Sequence, residues 1–166
     1  MTMTVARATA PEVEQRLASP HVSVILVVRD EPVERVERAL AAVAAQQRVG
    51  GLTVVIAAPP SEHARLATIH PGGNVIGVHL VDNPDGGRSA GLNRAIAAAP
   101  DSVIVRVDAR STIPPHYVTT CIARLDDPDV GMVGGIQWPS AALGGPTAAG
   151  IARALRNRWL LGNAAY

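Results

Sequence analysis

The run Val-Ile-Val-Arg-Val-Asp-Ala-Arg at residues 103–110 stops on an acid, Asp108, and sets Arg110 two residues later. A carboxylate at the end of an apolar strand adds nothing to packing, so Asp108 is a candidate to hold a metal ion or ribose hydroxyls. Arginine presents a planar fork of donors that suits a diphosphate. A second polar group, Arg29-Asp30-Glu31, follows the apolar run at 21–28, and a third, Asp82-Asn83, follows residues 74–81. Each of these also has a simpler use. Asp30 and Glu31 fit a helix start, Asp82-Asn83 fits a turn, and Arg88 and Arg94 fit a solvated helix face, with Arg88 also in reach of a phosphate. The histidines at 21, 63, 70, 79 and 116 lack ligand spacing, and Cys121 falls on the apolar side of a helix.

The elements that must position these residues alternate. Residues 21–28, 52–58, 74–81, 102–107 and 130–138 read as strands, the first a near-continuous β-branched run of the kind buried on both faces. Between them lie helical patterns. One opens at Pro32 and carries Val33, Val36, Leu40 and Val43; a short one covers 61–70 with Ser61 as its cap; another covers 88–99. Pro114-Pro115 opens a helix with Val118, Cys121, Ile122 and Leu125 on one face, and 147–161 reads as a last helix. The expectation is an α/β fold, Rossmann-like, with a mainly parallel sheet of about five strands and helices on both faces. Residues 1–20 read as an N-terminal extension, 21–138 as the α/β domain, and 139–166 as a mobile connection and C-terminal helix.

In an open parallel sheet, ligands sit beyond the carboxyl ends of the strands where strand order reverses. A reversal between the first and fourth strands would bring Asp30 and Asp108 into one crevice suited to a nucleotide. Composition narrows the alternatives. The chain has 166 residues, room for one domain, and a net charge of +1 that gives no footprint for nucleic acid. No lysine is present, which excludes a Walker-type phosphate loop and a Schiff base. The lone cysteine, the lack of a signal peptide and the lack of an eighteen-residue apolar run favour a cytoplasmic protein without a transmembrane segment. A peripheral place at the inner face of the membrane is the alternative.

Four stretches in order, "VSVILVVRDE", "VDNPDGGRSAGLNRAI", "VIVRVDARSTIPPHYV" and "VGMVGG", resemble inverting family 2 glycosyltransferases of the GT-A fold. The third is similar to the succinoglycan-type exopolysaccharide branch. The resemblance implies a nucleoside diphosphate-sugar donor and a polysaccharide or glycolipid acceptor. Val27, Arg29 and Asp30 would line the base pocket, Asn93 would stand at the motif asparagine, and Asp108 would match the first acid of D-x-D, near ribose and a Mg²⁺ or Mn²⁺ ion. The chain departs from the pattern in ending its second strand on Ala57-Ala58 and in placing Arg110 where D-x-D has its last acid. A guanidinium does not ligate a metal, so Arg110 is expected to offset diphosphate charge directly. The catalytic-base motif and the acceptor-binding half are expected beyond residue 166, which leaves no catalytic residue to name.

Two other readings stand beside this one. A degenerate, non-catalytic domain would serve association, with Ile151, Leu155 and Trp159 as the apolar stripe of the last helix and a homo-oligomer as the product. Arg153, Arg156 and Arg158 lie away from that stripe. A nucleotidyltransferase would need a glycine- and lysine-bearing first loop, which is absent.

Overall fold

The computed structural model describes residues 21–101, 103–141 and 144–157. The extension expected at 1–20 lies outside the described residues, as do Arg158 and Trp159. The chain divides into two compact units after Ala123.

The first unit runs β1 (His21–Val27), α1 (Val33–Ala44), β2 (Gly51–Ala58), α2 (Pro60–Leu66), β3 (Val75–Asp82), α3 (Arg88–Ala98) and β4 (Ile104–Arg106). A further helix, α4 (Tyr117–Leu125), begins in it. The strands form one four-stranded sheet in the order β3-β2-β1-β4, every pair parallel. Strand order therefore reverses at β1, between its neighbours β2 and β4. Helices cover both faces, as the unbroken apolar runs of β1 and β2 require. On one face Val22, Val24 and Leu26 meet Val36, Leu40 and Val43 of α1, Leu66 of α2 and Val118 of α4. On the other, Ile25, Val55 and Ala57 lie under Leu92 and Ala95 of α3.

Two buried polar side chains tie the outlying segments to this core. Ser23 Oγ donates to Asp101 at 2.8 Å and so fixes the entry to β4. Gln46, 1% exposed, donates to the carbonyls of Ala42 and Pro114 at 3.0 and 2.8 Å and accepts from Val118 N–H at 3.0 Å. Helix α4 starts at Tyr117 and not at the proline pair: Pro114 O accepts from Tyr117 N–H at 3.0 Å in a turn as well as from Gln46, and Pro115 O accepts from Gln47 N–H at 2.8 Å. Likewise α2 opens on Pro60, without a side-chain cap from Ser61, and ends at Leu66. Beyond it Thr68 and His70 make hydrogen bonds to local carbonyls that compete with helix continuation.

The strand expected at 130–138 is absent: no residue of that range is in a strand. Gly131, Gly134 and Gly135 raise the entropic cost of extended pairing, and Met132, Ile136 and Trp138 stand 90%, 85% and 70% exposed. In this second unit α5 (Pro146–Leu155) buries Ala152 and leaves Ile151 and Leu155 exposed. The Arg156 guanidinium lies 5.2 Å from the Trp138 ring centroid. No helix among the described residues is long and apolar enough to cross a membrane.

Candidate functional site

The loops that leave β1 and β4 meet at the carboxyl end of the sheet. After β1, Val28 N–H still donates to Ala57 O at 2.9 Å, and the chain then turns sharply. Asp30 takes a left-handed conformation, φ 54°, which costs a non-glycine residue about 1–2 kcal/mol. Helix α2 supplies the compensation. Glu62 Oε1 accepts from Asp30 N–H at 2.7 Å, Arg65 pairs with Glu62, and Arg65 Nη1 also donates to Glu31 O at 2.8 Å. Glu31 is 10% exposed at its side chain and receives Arg110 Nε at 2.6 Å. Its other oxygen accepts no hydrogen bond, although the Arg35 guanidinium stands 3.5 Å away. Arg110 thus ties the β4 loop to the β1 loop, and among the described residues its terminal nitrogens have no partner.

Asp108 follows the last ladder bond of β4, Val107 N–H to Ile25 O at 3.1 Å. Its carboxylate is occupied by arginine. Arg88 Nη2, from the first residue of α3, lies 2.7 Å from each oxygen, and Arg106 Nη2, two residues earlier on β4, lies 3.2 Å from Oδ1. The three side chains are 62%, 49% and 42% exposed for Arg88, Arg106 and Asp108, so each pair contributes at most about 1 kcal/mol to stability. Arg106 is invisible to a reading that takes 102–107 as a buried strand. The signal was its alternation with Val105 and Val107, which enter the core while Arg106 turns to the opposite face.

The loop before α3 completes the rim. Asn83 is fully buried; its Nδ2 donates to Gly87 O at 3.1 Å, and its Oδ1 has no partner. Val27 is half-buried at the same place. A Cβ on Gly91 would come within 2.7 Å of Asn83 Nδ2 and 2.9 Å of Val27 Cγ1, so this helix approaches the strand end only as glycine. Gly86, φ +61°, lies under Arg29, whose Nη1 donates to Asp85 O at 3.3 Å and whose Nε is 3.6 Å from Asp30. Arg94 Nη1 donates to Asp82 O at 2.9 Å, which ties it to the end of β3. Asn93 is exposed on α3.

The structure therefore brings Arg88, Asp108 and Arg106 together, joins the β4 loop to the β1 loop through Arg110 and Glu31, and sets Arg29 over the turn before α3. The donor set is a poor match for Mg²⁺ or Mn²⁺. Both oxygens of Asp108 face guanidiniums, Arg110 has no lone pair to give, and among the described residues no group of three or more His, Cys, Asp or Glu could hold a metal ion. A dication about 4 Å from one guanidinium is repelled by about 2 kcal/mol even at the dielectric constant of water. Asp126, Asp127 and Asp129 belong to an exposed turn, where Asp127 accepts from Asp129 N–H at 3.1 Å.

Comparison with known proteins adds family and fold. No curated protein sequence matches the chain significantly. Two crystal structures of S. aureus TarS 1–349, one in complex with UDP, are similar to it with TM-score 0.53 and 17% identity. They cover 71% of this chain, which in turn spans only 39% and 38% of theirs. At that identity the likeness is one of fold, and it agrees with the parallel α/β architecture expected from the sequence. The model of glycosyl transferase family 2 matches residues 23–149, most of the chain and both site loops, and the chain belongs to that family.

Proposed function

We propose that this chain holds a nucleoside diphosphate-sugar donor at the carboxyl ends of β1 and β4 for inverting transfer of the sugar to a polysaccharide or glycolipid acceptor. The observation that carries the reading is the meeting of the β1 and β4 loops at the point where strand order reverses, in a family 2 chain. The UDP bound in the similar TarS structure supports a nucleotide ligand. On this reading Val27, Arg29 and Asp30 face the base, Asp108 the ribose, and Arg88 and Arg110 the diphosphate, with Asn93 further along α3. In-line attack by an acceptor hydroxyl at the anomeric carbon pushes negative charge onto the departing diphosphate, and fixed cations beside it lower that barrier. The group that deprotonates the acceptor is not assigned to any residue of this chain. The likeness of "VRVDARSTIPPHYV" to the succinoglycan-type branch favours an exopolysaccharide acceptor, reached from the cytoplasmic side of a membrane.

Calorimetric titration of UDP, GDP and their sugar conjugates, each with EDTA and with Mn²⁺, tests the donor site. Saturable binding of one nucleotide, displaced by its own sugar conjugate, is expected. Failure of every nucleotide in both conditions overturns the reading.

A second reading, association, draws on the exposed Met132, Ile136, Trp138 and Ile151 of the second unit. Sedimentation velocity separates the two, since a concentration-independent monomer that binds nucleotide leaves association without support.

A further inference from the structure

We infer that the donor diphosphate is held here without a divalent cation, by the guanidiniums of Arg88 and Arg106, and that Asp108 serves as their internal counter-anion in the free site. The inference rests on the donor-binding reading and names what neutralises the phosphates. Arg88 and Arg106 come from different elements, the start of α3 and the end of β4, yet converge on one carboxylate at 2.7 and 3.2 Å. Two guanidiniums focused on a single oxyanion form an arrangement that suits a phosphate group. The Asp108 carboxylate thus marks the anion position between them.

The exchange is cheap. All three side chains are between 42% and 62% exposed, so the ion pairs give up little when broken. A diphosphate offers more charge and more acceptor oxygens than one carboxylate, and draws both arginines away from Asp108. Arg110, fixed through Nε to Glu31 with its terminal nitrogens without a partner among the described residues, adds a third cation on the loop after β4. A metal ion at Asp108 would instead have to displace two arginines and then remain beside them.

The test titrates inorganic pyrophosphate and UDP into the whole chain in EDTA and again in Mn²⁺, for the unaltered protein, Arg88→Gln/Arg106→Gln and Asp108→Asn. Circular dichroism and thermal melts verify that each variant folds. Pyrophosphate and UDP are expected to bind in EDTA. The double arginine variant weakens both by about tenfold or more, the loss of at least one charge-assisted contact. Asp108→Asn, which removes the counter-anion, tightens metal-free pyrophosphate binding by about two- to fivefold. Opposite signs from neighbouring variants are not expected of a metal site, where Asp108→Asn abolishes binding. Pyrophosphate binding that appears only with Mn²⁺, that is lost in Asp108→Asn, or that ignores the arginine changes overturns the inference. UDP binding only with Mn²⁺ does so while sustaining the donor reading. Arginine-dependent, metal-free pyrophosphate binding with no added affinity for UDP leaves an arginine anion site but overturns the donor reading, and with it the assignment of that site to a donor. Absence of any binding overturns both.

Discussion

Glu62 lies on α2, outside the β1 loop, yet its removal is expected to weaken nucleotide binding more than it weakens the fold. Its carboxylate accepts from Asp30 N–H and pairs with Arg65, and only 12% of the side chain is exposed. In Glu62→Ala the loss of a charge-assisted hydrogen bond costs about 1.5–3 kcal/mol. Asp30, no longer held, returns from φ 54° to an ordinary conformation and recovers about 1–2 kcal/mol of backbone strain. The terms nearly cancel, so global stability falls by only about 1 kcal/mol, a shift of about 2–4 °C in melting temperature. The loop is then released, and the donor must restore the strained conformation on binding, so its affinity falls about tenfold. Asp30→Gly supplies the matching control, because glycine adopts positive φ without strain. In the Asp30→Gly background, Glu62→Ala should therefore weaken UDP binding by less than in the parent. Urea denaturation gives the stability arm and calorimetry with UDP the binding arm. The reasoning fails if the affinity loss is the same in both backgrounds, or if Glu62→Ala unfolds the chain without touching affinity.

Other perturbations separate positioning from packing. Gln46→Leu conserves volume but leaves Val118 N–H unpaired and takes one of two donors from Pro114 O, so about 1–3 kcal/mol of stability should be lost in denaturant melts. Gly91→Ala gains about 1 kcal/mol of helix propensity but forces Cβ into Asn83 and Val27, an overpacking worth about 1–3 kcal/mol. The net should be a small destabilisation with a larger loss of UDP affinity, read by the same two assays. Leu40→Ala opens the large core beneath β1 and should cost about 2–5 kcal/mol, detected as a lower denaturation midpoint at unchanged slope.

What the sequence carried and what it hid follow from the range of the interactions involved. The alternation of apolar runs with helical patterns is a local property, and it located β1, α1, β2, β3, α3 and β4 within a few residues. Burial on both faces of β1 and β2 was legible for the same reason, since no polar residue but Ser23 and Thr53 interrupts them. The strand expected at 130–138 rests on hydrophobicity and on the likeness of "VGMVGG", in a run already weakened by its glycines, and hydrophobicity without a pairing partner does not make a strand. The site residues divide similarly. Asp108 stood out because a carboxylate ends an apolar run. Its partners lie far along the chain or were hidden by context: Arg88 is twenty residues away, and Arg106 sits inside the run itself. Glu62 and Arg65 gave no sign at all, because their work is to brace the backbone of Asp30 and Glu31, about thirty residues earlier. Arg110 brings a charge legible in the sequence, and its Nε–Glu31 bond shows that the charge also joins the two loops. Replacement of an acid by arginine at this position has two linked physical effects: it removes a potential metal ligand and creates a tether that an acid facing Glu31 would oppose by like-charge repulsion. Restoring the acid by Arg110→Asp would therefore not by itself recreate a metal site, because Arg88 and Arg106 would still hold Asp108 while the β1 and β4 loops lost their ion pair.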